Sequence, residues 1–425
     1  MNEIINKKGT FWIENEETKF EGIVKYENSH FYLTCDLSDY SNYIPKINGK
    51  IEDIPLLLSD CHYSYKLKDK VTFMCETIFK NYDDDKLLFN NARFEYNNLN
   101  HWIQYPFIGI DGIEDLLENF GDENSISGED FEIALTYEKT SENLLMPYNF
   151  RFEIHYYDTT PSDKILKDCE TIKDLLSLLM YQKANIHEIT LINNDEEIKI
   201  LSSHLKPMPP NVNPRNNLLE LYEISENFLN ILLKWFDNYK LINPTLYLYF
   251  INTASNHNAE SLLIAYTQAL EAYMRKTDHI DKFYMTDEEY ETFKNKYHKW
   301  INGVDIPDGF KNSLNTKIKF GNEYSFRKRI KLLLKHFKEY DLVNHLNDKY
   351  EKNFTDIVID TRNYYTHYSE KRNYVKTMGE LVVLCYDIKL LLELCILYEL
   401  GISKETIDSR LKEKYNPIKI LPNYK

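Results

Sequence analysis

At 425 residues the chain is too long for one ordinary hydrophobic core and calls for two or three domains. Hydrophobic residues make up 43% and charged residues 28%, a globular balance that excludes a disordered chain. The net charge of −16 argues against general nucleic-acid binding, yet residues 301–425 hold 22 Lys+Arg against 17 Asp+Glu, a net of +5, which leaves −21 for the first 300. A basic final third is compatible with local binding of a polyanion.

The opening stretch, MNEIINKKGTFWIENEE, has no apolar leader core, so no secretory signal is expected. Period-two alternation then marks strands at FEGIVKY, FYLTC, VTFMCETIF, FEIALTY and FRFEIHYY. Asn/Asp/Ser-rich turns separate them, and an antiparallel sandwich or barrel-like packing follows. One helix, DKILKDCETIKDLLSLLMYQ, precedes two last strands at IHEITLI and EEIKILS. Pro207, Pro209, Pro210 and Pro214 then forbid regular structure and predict a linker over 206–217. This gives a β-rich domain over 1–205 and a helical domain over 218–425.

Beyond the linker the period becomes helical, as in NAESLLIAYTQALEAYMRK. Residues from roughly 277 to 322 read as a polar, irregular insertion. The apolar run LVVLCYDIKLLLELCILYEL carries Asp387, Lys389, Glu393 and Glu399, too many charges for a membrane span, and predicts a buried helix. The fold class is therefore α+β, a sandwich- or barrel-like β domain followed by an all-α bundle. Six cysteines without CxxC spacing fit free thiols in a reducing cytoplasm.

No Rossmann or P-loop glycine pattern, HExxH, EF-hand loop or GxSxG occurs. Cys61–His62 is an isolated pair, and neither a metal nor a cofactor is expected. What remains is DTRNYYTHYSE, with Arg362 and His367 five positions apart and Asn363, Tyr364 and Tyr365 between them. Cleaving RNA through its own 2′-OH needs a proton carrier active near neutral pH and a cation on the strained phosphate. Histidine and arginine suit those two tasks. Five residues along a straight helix turn through about 140°, so the two side chains would not share a face. Either the helix breaks between them, or each faces a partner chain in a composite two-fold site. On spacing alone, Arg362 could equally bridge Asp356 or Asp360, and His367 could cap a helix end.

TRNYYTHY resembles the R-x4–6-H signature of HEPN domains, with their frequent polar residue after the arginine. ALEAYMRK upstream is similar to the E-x3-[KR] element that accompanies it. With the β-rich opening KGTFWIENEETKFEGIVKY, the whole chain resembles the ApeA family of bacterial anti-phage proteins. The resemblance implies a cytoplasmic, homodimeric, metal-independent endoribonuclease that stops phage growth by cleaving host RNA, with tRNA as target. In that reading Arg362 stabilises the phosphate, His367 is general acid or base, Asn363 orients the pair and Glu271 positions Arg362. The β domain would restrain or trigger the nuclease, in answer to a phage trigger the sequence does not name. The alternative is a non-catalytic HEPN module that binds RNA or nucleotide and signals through the β domain.

Arg327, Lys328 and Arg329 open a cationic segment, SFRKRIKLLLKHFKEY, that forms a candidate track for the RNA backbone or the solvated face of an amphipathic helix. Arg275 and Lys276 would extend it, and Tyr364 and Tyr365 are candidates for stacking on splayed bases.

Overall fold

The computed structural model describes residues 3–13, 19–28, 30–37, 40–82, 87–107, 112–119, 125–140, 146–193, 196–202, 205, 217–253, 258–368 and 372–415. They form two compact units, Met1–Leu233 and Lys234–Lys425.

The first unit is built on twelve antiparallel strands. Six of them are β1 (Lys8–Ile13), β2 (Lys19–Glu27), β3 (His30–Cys35), β4 (Tyr43–Ile51), β5 (Ile54–Leu67) and β6 (Lys70–Lys80). They follow the order β3-β2-β1-β4-β5-β6, and β3 pairs back onto β6 with Phe31 opposite Cys75. The ring is closed, so of the two packings predicted from alternation the barrel is the one formed. Alternate residues, among them Phe11, Val24, Phe31, Leu33, Ile47, Leu58 and Phe73, fill its interior. Gly49 sits opposite Phe11, and a β-carbon there would collide with the Phe11 ring. The aromatic therefore fills space that only glycine leaves open.

β6 then passes the sheet on to β12 (Glu196–Ser202), with Phe79 opposite Ile200. Beyond it lie β11 (Ile186–Asn193), β7 (Leu88–Tyr96), β10 (Tyr148–Pro161), β9 (Phe131–Lys139) and the short β8 (Ser125–Ser127). One face of this second sheet packs on α3 (Ser162–Leu179), whose Ile165, Ile172, Leu175 and Leu179 are buried. Tyr96 donates to the Cys169 carbonyl at 2.8 Å and Tyr156 to Asp168 at 2.9 Å, fixing the helix register on the sheet. The alternate residues of β7, β9, β10, β11 and β12 carry Arg93, Glu138, Arg151, Glu153, Glu188, Glu197 and Lys199 in a charged ladder.

Two short helices, α1 (Leu99–Gln104) and α2 (Ile113–Asn119), follow β7 and were not signalled by the sequence pattern. Almost all of the proline-rich 206–217 segment lies outside the described residues, Asn217 excepted. The compact units divide later than that segment, inside α5 (Phe228–Thr253). Leu218 and Leu219 donate to the Leu179 carbonyl at 2.8 and 3.2 Å, and Trp102 donates to the Leu219 carbonyl at 2.8 Å. The Phe228 ring, near the turn α4 (Leu221–Ile224), meets Trp102 and Phe152. Apolar side chains after the prolines thus complete the first core, which is why the β-rich unit reaches past residue 217.

The second unit is helical throughout. It contains α6 (Ala259–Lys276), α7 (Asp287–Asn302), α8 (Asp308–Ile318), α9 (Phe326–His336), α10 (Asp341–Lys349), α11 (Phe354–His367), α12 (Gly379–Glu399) and α13 (Lys404–Tyr415). The segment expected to be irregular, 277–322, is a helical hairpin. Thr286 and Glu289 form a capping box that starts α7, and Gly303 follows its last residue. α12 is the predicted buried helix and packs on α6. Its internal charges are matched: Asp387 takes Lys349 at 2.7 Å and the Tyr350 hydroxyl, while Glu393 takes Lys389 at 2.7 Å and Tyr249 at 2.7 Å. Among the described residues no helix is long and apolar enough to cross a membrane.

Candidate active site on α11

α11 packs on α6 and α9, and these three helices position the Arg–His motif. Phe354, Ile357, Val358 and Ile359 bury its first half. Two buried polar residues tie down its middle. Asp360 accepts Arg327 and Arg372, each at 3.5 Å, and the Thr361 hydroxyl accepts the Lys376 N–H at 3.1 Å. From Arg362 the helix emerges: Arg362 through Tyr365 are half-buried, while Thr366 and His367 are exposed.

The helix runs unbroken through His367 and ends on Tyr368, whose φ of 47 is left-handed and whose N–H returns to the Tyr364 carbonyl at 2.6 Å. A break between the two motif residues is thereby eliminated. Arg362 and His367 leave one continuous helix about 140° apart.

Arg362 ignores the acids of its own helix. Its Nη2 donates to Glu271 of α6 at 3.1 Å, and its guanidinium carbon lies 4.8 Å from the centre of the Phe326 ring on α9. Asp356 is taken instead by Arg327. Glu271 also receives Arg275 at 3.3 Å; Arg275 reaches Glu323 at 2.5 Å, and Glu323 meets Arg329 at 3.4 Å. Three guanidinium groups therefore share two carboxylates, and the network carries a net +1 with Arg362 at its outer end. Burial pushes the Arg329 pKa down, and the neighbouring Arg275 charge adds to that.

Other sequence candidates are placed unevenly. Arg329 is 2% exposed and donates inward to the Tyr324 carbonyl at 2.9 Å, which removes it from any RNA track. Its position on the apolar side of α9, one residue before Ile330, is the physical reason. Arg327 is spent on Asp356 and Asp360. Lys328 and Lys276 are exposed, with the Lys328 ammonium 5.4 Å from the Tyr324 ring centre. Tyr364 and Tyr365 meet edge to face at 5.0 Å and flank Tyr368. Burial, then the Glu260 carboxylate, pushes the Tyr365 phenol up and keeps it protonated. Asn363 is half-buried beside Arg362.

Sequence reasoning missed Phe326 and Glu323. Phe326 had a signal, since it extends the Ile330/Leu333/Phe337 stripe one turn back behind the Ser325 cap. Glu323 had none, because its partners come from α6 and α9 together. Among the described residues no three His, Cys, Asp or Glu side chains converge as metal ligands. Cys61 is buried and His62 exposed, on opposite faces of β5.

A family model described as ApeA N-terminal domain 1 matches residues 6–235, more than half of the 425. The chain belongs to the ApeA family. A second model, Apea-like HEPN, matches residues 264–406 and includes Glu271, Arg362, Asn363 and His367. The ApeA N-terminal match ends at 235, close to the end of the first compact unit at Leu233. ApeA membership indicates anti-phage defence through a HEPN domain of nuclease-related type. No curated protein and no solved structure matches the chain.

Proposed function

We propose that this ApeA-family chain is a metal-independent endoribonuclease whose active site is completed when two copies of α11 meet across a two-fold axis. The observation that carries the reading is the continuous helix. It presents a positioned Arg362 and an exposed His367 on different faces, so each motif residue is available to a different neighbour. In the composite site, Arg362 of one copy holds the phosphate while His367 of the other moves protons. A base removes the 2′-OH proton, the 2′ oxygen attacks phosphorus, and the leaving 5′ oxygen is protonated as its P–O bond breaks. The products are a 2′,3′-cyclic phosphate and a 5′-OH. The nucleophile belongs to the substrate, so no metal-activated water is needed. Glu271 holds the Arg362 fork in place, Asn363 orients the pair, and Tyr364 and Tyr365 supply ring faces for unpaired bases. Host tRNA is the substrate that fits an effector acting by arrest of translation, with a phage component as trigger.

The test is cleavage of total tRNA, with EDTA present, by wild type, Arg362→Ala, His367→Ala and an equimolar mixture of the two variants after subunit exchange. Cleavage by wild type alone among the single species establishes the pair. The mixture should recover about a quarter of wild-type activity, because half the dimers are mixed and each keeps one intact site. Equal cutting by all three would sink the assignment. Binding of RNA that survives His367→Ala, with no cleavage by triggered wild type, would point to the non-catalytic module instead.

A further inference from the structure

The α7–α8 hairpin has no part in the site on α11, and its surface is unlike the rest of the chain. α7 buries only Tyr290 and Ile301, and α8 buries no residue. Its large apolar side chains are turned outward: Phe293 is 42% exposed, Trp300 62%, Phe310 52% and Phe320 66%. On α7, Phe293, Lys296, Tyr297 and Trp300 follow i, i+3, i+4, i+7 spacing and share one stripe, with the Tyr297 and Trp300 rings 6.0 Å apart. Residues 292–320 contain six lysines (294, 296, 299, 311, 317 and 319) against Asp305 and Asp308, a net of +4, while Asp287, Glu288, Glu289 and Glu291 at the start of α7 bring the whole hairpin to neutrality and set its positive charge beside the aromatic stripe. Lys294 pairs with Glu291 at 2.6 Å. Lys296, Lys299, Lys311, Lys317 and Lys319 have no carboxylate partner among the described residues. A purely apolar partner would leave those ammonium groups buried and uncompensated, whereas a polyanion with flat rings answers both features at once.

The root of the hairpin joins the catalytic framework. Tyr284 donates to the Asn322 carbonyl at 2.9 Å, Tyr324 to the Lys282 carbonyl at 2.9 Å, and Phe283 bridges Glu323. The buried Asn322 side chain closes both backbone bonds to Met285. Glu323, in this root, is the carboxylate shared by Arg275 and Arg329, three ion-pair links from Arg362.

We infer that the α7–α8 hairpin is a docking arm for single-stranded RNA, with bases stacked on the Phe293–Tyr297–Trp300 stripe and phosphates held by the unpaired lysines. The inference rests on the ribonuclease reading and extends it, because a substrate seated on the arm is anchored to the framework that holds Arg362. It also fixes the substrate class as RNA with unpaired bases, since a duplex offers no free ring face to the stripe.

The experiment uses the full chain carrying His367→Ala, so that binding is read without cleavage. Its affinity for a fluorescein-labelled oligouridine is measured by anisotropy across a salt series, with the matching duplex as control. Adding Phe293→Ala and Trp300→Ala should weaken single-strand binding about tenfold or more. Adding Lys296→Gln and Lys299→Gln instead should lower the slope of log affinity against log salt by about 1.4. The lysine pair serves as the independent variant should the aromatic pair disturb the helices. Binding within about twofold of the parent for both variants, or no oligouridine binding by the parent, overturns the arm. So does a sedimentation shift to a smaller species at unchanged affinity, which would make the stripe a contact between copies. If triggered wild type fails to cleave while the binding losses appear, the catalytic reading fails and the arm stands.

Discussion

Among the described residues each unit holds an arginine–glutamate ladder, and the two balance charge in opposite directions. On the second sheet, Arg151 meets Glu138 and Glu153 at 3.6 and 2.9 Å, and Arg93 meets Glu153 and Glu197 at 3.3 and 2.5 Å. Two guanidinium groups are outnumbered by three carboxylates. In the helical unit, Arg362, Arg275 and Arg329 share Glu271 and Glu323. The residue types are the same, yet the first ladder repels a phosphate and the second has one positive charge left for it. Motif spotting alone does not separate the two; the count of partners does.

The largest expected effect breaks this comparison directly. Arg362→Ala should reduce triggered cleavage of tRNA by about a thousandfold through loss of phosphate stabilisation. Arg151→Ala in the sheet ladder should leave the rate unchanged. Equal losses would mean that the helical ladder has no special role. Next in size is Asp387→Ala, at a site where buried charges balance one to one. Lys349 and Tyr350 lose their partner, and urea unfolding should show a loss of about 3 kcal/mol. A third substitution sharpens the charge argument. Glu271→Gln should lower the turnover rate about tenfold by releasing Arg362. It should also leave RNA affinity equal or tighter, since the network gains positive charge; Glu271→Asp should recover part of the rate. A weaker affinity with unchanged turnover would make Glu271 merely structural.

The smallest effect tests the acidic ladder. Burial, and secondly the neighbouring Glu188, raises the Glu95 pKa above its ordinary 4.5. A raised carboxyl contributes stability fully below that ordinary value, and the contribution disappears as pH climbs through the folded value. Glu95→Gln should therefore raise the melting temperature by a few degrees at pH 7 and leave it unchanged at pH 4, read by circular dichroism. A gain at both pH values would remove the electrostatic explanation.

What the sequence revealed depended on whether a pattern was local. The strands β2, β3, β9 and β10 alternate and are visible as such, while β6, buried on both faces over much of its length, is visible by its β-favouring residues. β5 is not, because a bulge between Tyr63 and Tyr65 shifts its register and its second half is exposed. The α7–α8 hairpin reads as irregular because it buries so few of its apolar residues; its capping box at Thr286 was the available signal. The proline run marks where regular structure stops, whereas the core divides where Leu219 and Phe228 have been spent. At the site, the spacing of Arg362 and His367 is local and legible. The bond from Arg362 to Glu271 spans 91 positions, and only the resemblance suggested it. The inward turn of Arg329 is a matter of helical phase, one residue away from a solvated face.

Barrel closure also bears on how few strand ends the first unit leaves open. Through the β3–β6 pairing, the twelve-strand array offers a single terminal edge among the described residues, at β8. That edge is three residues long, Ser125–Ser127. β8 pairs with β9 at Glu132, Ile133 and Ala134, so a short strand blunts that part of the β9 edge against pairing with a passing chain. Protection of this kind comes from the topology of the sheet, not from the chemistry of any site.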